Sequence, residues 1–223
     1  MDLARRVVAE FLGSAMLAGV VIGSGILAVA LSGGNDGVAL IGNTAATAAI
    51  LWVLVAVLGP VSGAHFNPAV TLAFAVRREI DLSATVIYML VQVTGCIAGA
   101  ILAHAMFELP LIQIAATDRS GAAKMLSEGV ATFVLVFTIF GAIRYAPKAV
   151  PAAVALVITA GYWWTASTSF ANPAITVARA LSDTFAGVRP ADVPGFVIAQ
   201  ALGALLATGI SSFLFRPAGD EAA

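Results

Sequence analysis

Long apolar runs without a charge alternate with short polar breaks along this chain: Phe11 to Leu31, Val38 to Leu58, Ser83 to Phe107, Ala149 to Ala178 and Val193 to Phe215. Another run, Met125 to Ile143, is interrupted only by Glu128. As a helix, each run can cross the roughly 30 Å of hydrocarbon in a bilayer. The pattern predicts six crossing helices, with the run from Ala149 to Ala178 long enough to hold something more. The breaks at Ser32 to Gly37 and Glu108 to Ala123 read as exposed connectors. No separate soluble domain is indicated, so residues 1–223 read as a single domain.

The pattern also repeats. Glu10 and Glu128 each stand four residues before a small hydroxyl residue, Ser14 or Thr132, and open an apolar helix. Asn-Pro-Ala occurs at Asn67, Pro68, Ala69 and again at Asn172, Pro173, Ala174, and Gln-x-x-Gly occurs at Gln92 and Gln200. Three landmarks in one order imply two halves, about 1–115 and 116–223. Each half holds three crossings, an odd number, so the second enters the membrane in the opposite sense. The expected fold is an all-α membrane protein of six transmembrane helices plus two re-entrant half-helices, arranged as an inverted repeat.

The half-helices come from the tripeptides. After the second and fifth crossings the chain continues through small and apolar residues, which is tolerated at membrane depth only where backbone is buried in protein or lines a wet cavity. Asn is a strong helix N-cap and Pro suits the first helical position, so each tripeptide reads as a helix start. From Asn67 to Val76 such a helix is about 15 Å long, half the hydrocarbon thickness. Each Asn oxygen can then cap its own helix while its amide N–H groups donate to whatever passes between them. Two helix N-termini meeting there also oppose cations.

Composition adds class and orientation. Hydrophobic residues make up 61% and charged residues 10% of the chain, which excludes an ordinary soluble domain. The first run is read as a retained helix and not a cleaved leader, being longer than a usual leader core and carrying Glu10. A cytoplasmic N-terminus places Arg5, Arg6, Arg77, Arg78, Arg144, Lys148 and Arg216 inside and Arg119, Lys124, Arg179 and Arg189 outside, which favours both termini in the cytoplasm. The net charge of −1, with no basic stripe, points away from nucleic acid.

Glu10 and Glu128 are costly in a membrane unless satisfied. They read as proton-coupling groups or, preferred for their symmetry, as acceptors that hold a neighbouring re-entrant loop. His65 is expected to pin its loop or line the inner vestibule, since no second metal ligand lies at useful spacing. His104 and Cys96 read as packing residues. Without a nucleophile and base at recognisable spacing, a phosphate loop or a metal cluster, the sequence implies no enzyme, no metal and no cofactor.

SGAHFNPAV at Ser62 to Val70, FANPA at Phe170 to Ala174, the paired Glu residues and the Gln-x-x-Gly helices resemble the aquaporin and aquaglyceroporin (major intrinsic protein) family over nearly the whole chain. The resemblance implies a passive channel for small neutral solutes in the inner (plasma) membrane, built as a homotetramer with one pore per protomer. It also implies a selectivity filter of four positions, which counting without gaps assigns to Thr47, Ala160, Ser169 and Ile175. Here the chain departs from its family. Most members carry Arg directly after the second tripeptide, where this chain has Ile175, and water channels place aromatic or His residues where Thr47 and Ala160 stand. The expectation is a wide, uncharged filter.

Arg179, four residues after Ile175, either replaces the missing Arg from the outer vestibule or is a solvated residue paired near Asp183. The run ARALSDTFAGVRP at Ala178 to Pro190 resembles a bacterial branch associated with arsenic-resistance operons, which implies arsenite, glycerol-like polyols and some water as cargo. A general water and glycerol facilitator and, further off, a proton-coupled transporter are the alternatives.

Overall fold

The structure, a computed structural model, describes residues 1–215; Arg216 lies outside them. Eight α-helices follow in order: α1 (Leu3–Leu31), α2 (Asp36–Ser62), α3 (Pro68–Val76), α4 (Leu82–Met106), α5 (Ala122–Tyr145), α6 (Val150–Trp164), α7 (Pro173–Arg179) and α8 (Val193–Leu214). No strand occurs among the described residues. Helix starts follow capping chemistry: Asp2, Asn35 and Asp81 accept the N–H groups of Arg5, Val38 and Ala84.

Among the described residues, five helices are long and apolar enough to cross a membrane. The sixth crossing, α6, has only 15 residues, about 22 Å. A 3-10 turn at Pro147–Ala149 leads into it and adds about 6 Å, so the pair reaches nearly the hydrocarbon thickness. Beyond α6 the long fifth run breaks at Thr165, re-enters as a loop and starts α7.

The six crossings and two half-helices form the expected inverted repeat, with matching packing in the two halves. α1 lies on α4 and α5 on α8. At those crossings side chains are absent because backbones nearly touch. A Cβ on Gly99 would fall 2.1 Å from the Ala15 carbonyl oxygen, and one on Gly203 would fall 2.1 Å from that of Gly129. Such approach is how helices associate in lipid, where apolar burial alone gives no preference for helix over acyl chain.

The half-helices cross over: α3 packs on α8 and α7 on α4, and the two meet at their N-termini. Six crossings put both ends of the described chain on one face, called here the terminal face. The connector of residues 107–121 caps the other. Helix faces turned outward carry large apolar side chains, among them Leu90, Leu156, Leu206 and Phe213.

Candidate functional site

A cavity of ≈ 830 Å³, open space at its mouths included, runs between the helices and past both half-helix N-termini. Its two walls differ. Helices α1, α2, α5 and α6 supply Leu17, Leu51, Leu135 and Val154, while the re-entrant loops supply polar backbone and the two Asn residues.

Loop conformation is what makes the second wall polar. Ala64 and Phe66 adopt φ of 51° and 46°, and at an offset of 105 residues Ser169 and Ala171 adopt 51° and 47°. Left-handed backbone at non-glycine residues costs on the order of 1–3 kcal/mol each and persists only where its surroundings hold it. Buried carboxylates do so here. Glu10 accepts hydrogen bonds from the N–H groups of His65 (3.0 Å) and Phe66 (2.7 Å), from Ser62 Oγ (2.7 Å) and from Gln92 Nε2 (2.8 Å). Glu128 accepts from the N–H groups of Phe170 (2.8 Å) and Ala171 (2.9 Å) and from Gln200 Nε2 (2.6 Å).

With their N–H groups drawn to the carboxylates, the loops leave the carbonyls of Gly63, Ala64, His65, Ser169 and Phe170 with no donor among the described residues. All five residues line the cavity. Each carboxyl group thus accepts two consecutive loop N–H groups and a Gln side-chain amide, and so acts as a fastener for its re-entrant loop.

Asn67 Oδ1 caps α3 through the Ala69 N–H (2.9 Å), and Asn172 Oδ1 caps α7 through those of Ala174 (2.9 Å) and Ile175 (3.3 Å). Their amide nitrogens depart from the sequence expectation that both N–H groups serve a passing solute. Asn67 Nδ2 donates to the Ala171 carbonyl at 2.7 Å, and Asn172 Nδ2 donates to the Phe66 carbonyl at 2.8 Å. Each Asn therefore spends one N–H bracing the opposite loop and keeps one. Pro68 and Pro173 stand at the first helical positions, with Ala69 and Ala174 behind them, all buried.

His65 lines the cavity on the terminal side, with Nδ1 3.1 Å from Thr71 Oγ1 and its ring 4.5 Å from that of Phe74. His104 is fully buried near the connector end of α4. Its Nδ1 lies 2.8 Å from the Leu111 carbonyl and its Nε2 2.8 Å from Ser182 Oγ, so it ties the connector to the segment after α7. Cys96 is buried in α4 against the Ser14 carbonyl.

At the connector-side mouth, Thr47, Ser169 and Ile175 line the cavity, but Ala160 does not. Ala160 is exposed on the outer face of α6, and the cavity face of that helix belongs to Ile158 and Tyr162. Helical phase explains the correction: two residues rotate a side chain by about 200°, so 158 and 162 share a face that 160 opposes. Gly161 packs directly against Ser169, where an added Cβ would lie 2.5 Å from Oγ. Tyr162 reaches Thr47, with Oη and Oγ1 3.4 Å apart. The mouth thus has an aromatic side chain that ungapped counting misses; the i, i+4 spacing of Ile158 and Tyr162 was the available signal.

The mouth is also charged. Arg179 is buried and lines the cavity, with its guanidinium carbon 3.3 Å from the Phe170 ring centroid and Nε donating to the Ala186 carbonyl. It forms no ion pair with Asp183, which is exposed and accepts the Ala116 N–H instead. Half-buried Arg119, from the connector, lies 5.1 Å from the same ring centroid, and burial holds its guanidinium below the ordinary arginine range. Composition and spacing gave no sign that Arg119 reaches the site.

Comparison with known proteins agrees with this architecture. The sequence profile of the family described as Major intrinsic protein matches residues 1–158. Aquaglyceroporin AqpS of Rhizobium meliloti (strain 1021) is 54% identical over 217 residues, which cover 97% of this chain and 93% of that one. Probable aquaporin PIP2-8 of Oryza sativa subsp. japonica is 32% identical over 154 residues, covering 63% of this chain and 52% of that one. The X-ray structure of the aquaglyceroporin from Plasmodium falciparum has the same fold: TM-score 0.79, 17% identity, 98% of this chain and 99% of that one.

Proposed function

The chain belongs to the major intrinsic protein family and is an aquaglyceroporin-type channel for water and small solutes; from that premise we propose that its cargo is arsenous acid and glycerol-like polyols, with some water. The observation that carries this reading is the two-sided pore. A compact polyhydroxy molecule can turn its hydroxyls to the loop carbonyls and to the remaining N–H of Asn67 and Asn172, and its other face to Leu17, Leu51 and Leu135. Arsenous acid at neutral pH is an uncharged trihydroxy molecule with a hydroxyl display like that of glycerol. Ile175 in place of a charged filter residue favours such a solute over a narrow water file.

Flux is passive. The loop N–H groups held by Glu10 and Glu128 give both residues a structural role in place of proton coupling, so arsenite leaves the cell only down its own gradient. The filter is read as Thr47, Tyr162, Ser169 and Ile175. The Tyr162–Thr47 contact narrows that mouth and is the one feature that favours the second reading, a general water and glycerol facilitator.

The pore works in a homotetramer, one per protomer, whose subunit contacts use the outward apolar faces. The protein sits in the inner membrane with both termini cytoplasmic. On the terminal face stand Arg5, Arg6, Arg77, Arg78, Arg144 and Lys148, whereas of the four basic residues opposite, Arg179 is buried and Arg119 half-buried.

Stopped-flow permeability of purified protein in liposomes tests the reading, comparing water, glycerol and neutral arsenite with protein-free vesicles. Fast arsenite and glycerol flux is expected. Water flux alone would remove the metalloid assignment.

A further inference from the structure

Among the described residues that line the cavity, Arg179 is the one with a permanent charge, and nothing in the proposed cargo uses it. We propose that Arg179 is the specificity-determining cation of the mouth, set one helical turn along α7 from the position that Ile175 occupies, and that Arg119 of the connector is its positioning residue. The proposal rests on the channel reading above.

Register places the side chain. Ile175 and Arg179 are i, i+4 on α7 and both line the cavity. The offset of 105 that relates the two tripeptides maps them onto Val70 and Phe74 of α3, which line the cavity in the other half. Arg179 therefore faces the pore because the repeat puts that helix face there.

Anchoring fixes the charge. One N–H is spent on the Ala186 carbonyl and the guanidinium carbon sits 3.3 Å from the ring centroid of Phe170, whose own N–H is tied to Glu128. The remaining four N–H groups, on the terminal nitrogens, have no acceptor among the described residues, and those nitrogens are not sealed within protein. They are donors offered to the cavity.

The neighbouring carbonyls belong to Arg119. Its Nε donates to Gly187 (2.7 Å) and its Nη2 to Phe185 (3.3 Å), so the three consecutive carbonyls 185, 186 and 187 are divided between two guanidinium groups. Among the described residues neither group pairs with a carboxylate; Asp192 takes the backbone N–H of Arg119 and the side chain of Arg189. Arg119 shapes the strap that grips Arg179, and the two like charges reinforce one field at the mouth.

The consequence is charge selection without narrowing. A fixed cation some 6 Å from a permeating monovalent cation, at an effective dielectric of about 20, lowers its occupancy on the order of 100-fold and leaves a neutral solute of the same shape untouched. Urea and guanidinium are such a pair. In proteoliposomes, wild-type protein is expected to pass urea and exclude guanidinium. Arg179→Met is expected to raise the guanidinium-to-urea permeability ratio at least about tenfold. Arg179→Lys keeps the charge and holds the ratio near wild type, and the double variant Ile175→Arg with Arg179→Met returns it there.

Arg119→Met should raise the ratio several-fold with urea flux retained, a readout that folding alone does not move and that decides the matter if Arg179→Met does not incorporate. Urea flux with an unchanged ratio in both Met variants overturns the assignment of Arg179. No urea or glycerol flux through the wild type would instead overturn the channel reading on which it rests.

Discussion

Removing the Glu128 carboxylate tests the account of how the polar wall is held. Glu128→Ala deletes the acceptor for Phe170 N–H, Ala171 N–H and Gln200 Nε2, leaving two buried backbone donors with no partner and Gln200 Nε2 with its bond to Thr176 Oγ1 alone. Hydrogen bonds to a carboxylate are worth about 1.5–3 kcal/mol each, so the gross loss of three is roughly 4.5–9 kcal/mol. The same acceptor restrains Thr168, Ser169 and Ala171 at φ of 61°, 51° and 47°, conformations the freed loop would leave. Water entering from the cavity recovers part of the loss, and a net destabilisation of about 3 kcal/mol corresponds to a fall of roughly 6–12 °C in Tm for a chain of this size.

Tryptophan fluorescence during heating in detergent reads the first effect, and glycerol flux per incorporated protein in liposomes reads the second, expected to fall at least about tenfold. Glu128→Gln keeps one acceptor oxygen but turns an NH₂ toward a donor, so it should fall between wild type and Glu128→Ala. Glu10→Ala, which removes the acceptor of four donors and leaves Gln92 Nε2 its bond to Thr71 Oγ1, should be at least as damaging. Full flux with a Tm within about 2 °C of wild type in Glu128→Ala would refute the reasoning. So would a wild-type flux abolished by protonophore, since that makes the carboxylate a proton carrier.

Three further outcomes follow from the geometry. Ala160→Leu should leave the water-to-glycerol permeability ratio unchanged, because that side chain faces away from the cavity, whereas Tyr162→Ala should raise glycerol flux several-fold; stopped-flow light scattering on both separates the two placements of the α6 filter residue. Ile175→Arg should narrow the mouth and add a second charge beside Arg179, cutting glycerol and arsenite flux more than water flux, and equal loss of all three would argue against a filter role. Gly203→Leu places a Cβ 2.1 Å from the Gly129 carbonyl oxygen, so α5 and α8 must separate. Overpacking of this kind costs at least about 1–3 kcal/mol, and the yield of monodisperse protein on size exclusion should drop sharply.

Much of the fold was legible because its signals are local. Apolar runs of crossing length and Asn-Pro at two helix starts are written in consecutive or near-consecutive residues. The paired Glu residues were legible as a pair because repetition doubled a signal that would be weak alone. What the glutamates do was harder to read: a carboxylate that carries protons and one that accepts loop N–H groups share a sequence, and the donors of Glu10 lie 52 to 82 residues away. Ala160 shows the opposite limit, where counting from a landmark across an irregular loop lost the helical phase, and an error of two residues reverses the face.

The sequence by itself determined the class, the six crossings, the two half-helices and the inverted repeat, because hydropathy, capping and repetition depend on residue type and order. Only the tertiary structure decided which side chains meet at the mouth. Tyr162 touches Thr47 across 115 residues, each Asn gives one N–H to a loop more than 100 residues distant, and the carbonyls of 185 to 187 are shared by arginines from two segments. Those contacts depend on helix phase and on how two loops meet at the membrane centre, quantities that a one-dimensional pattern does not contain.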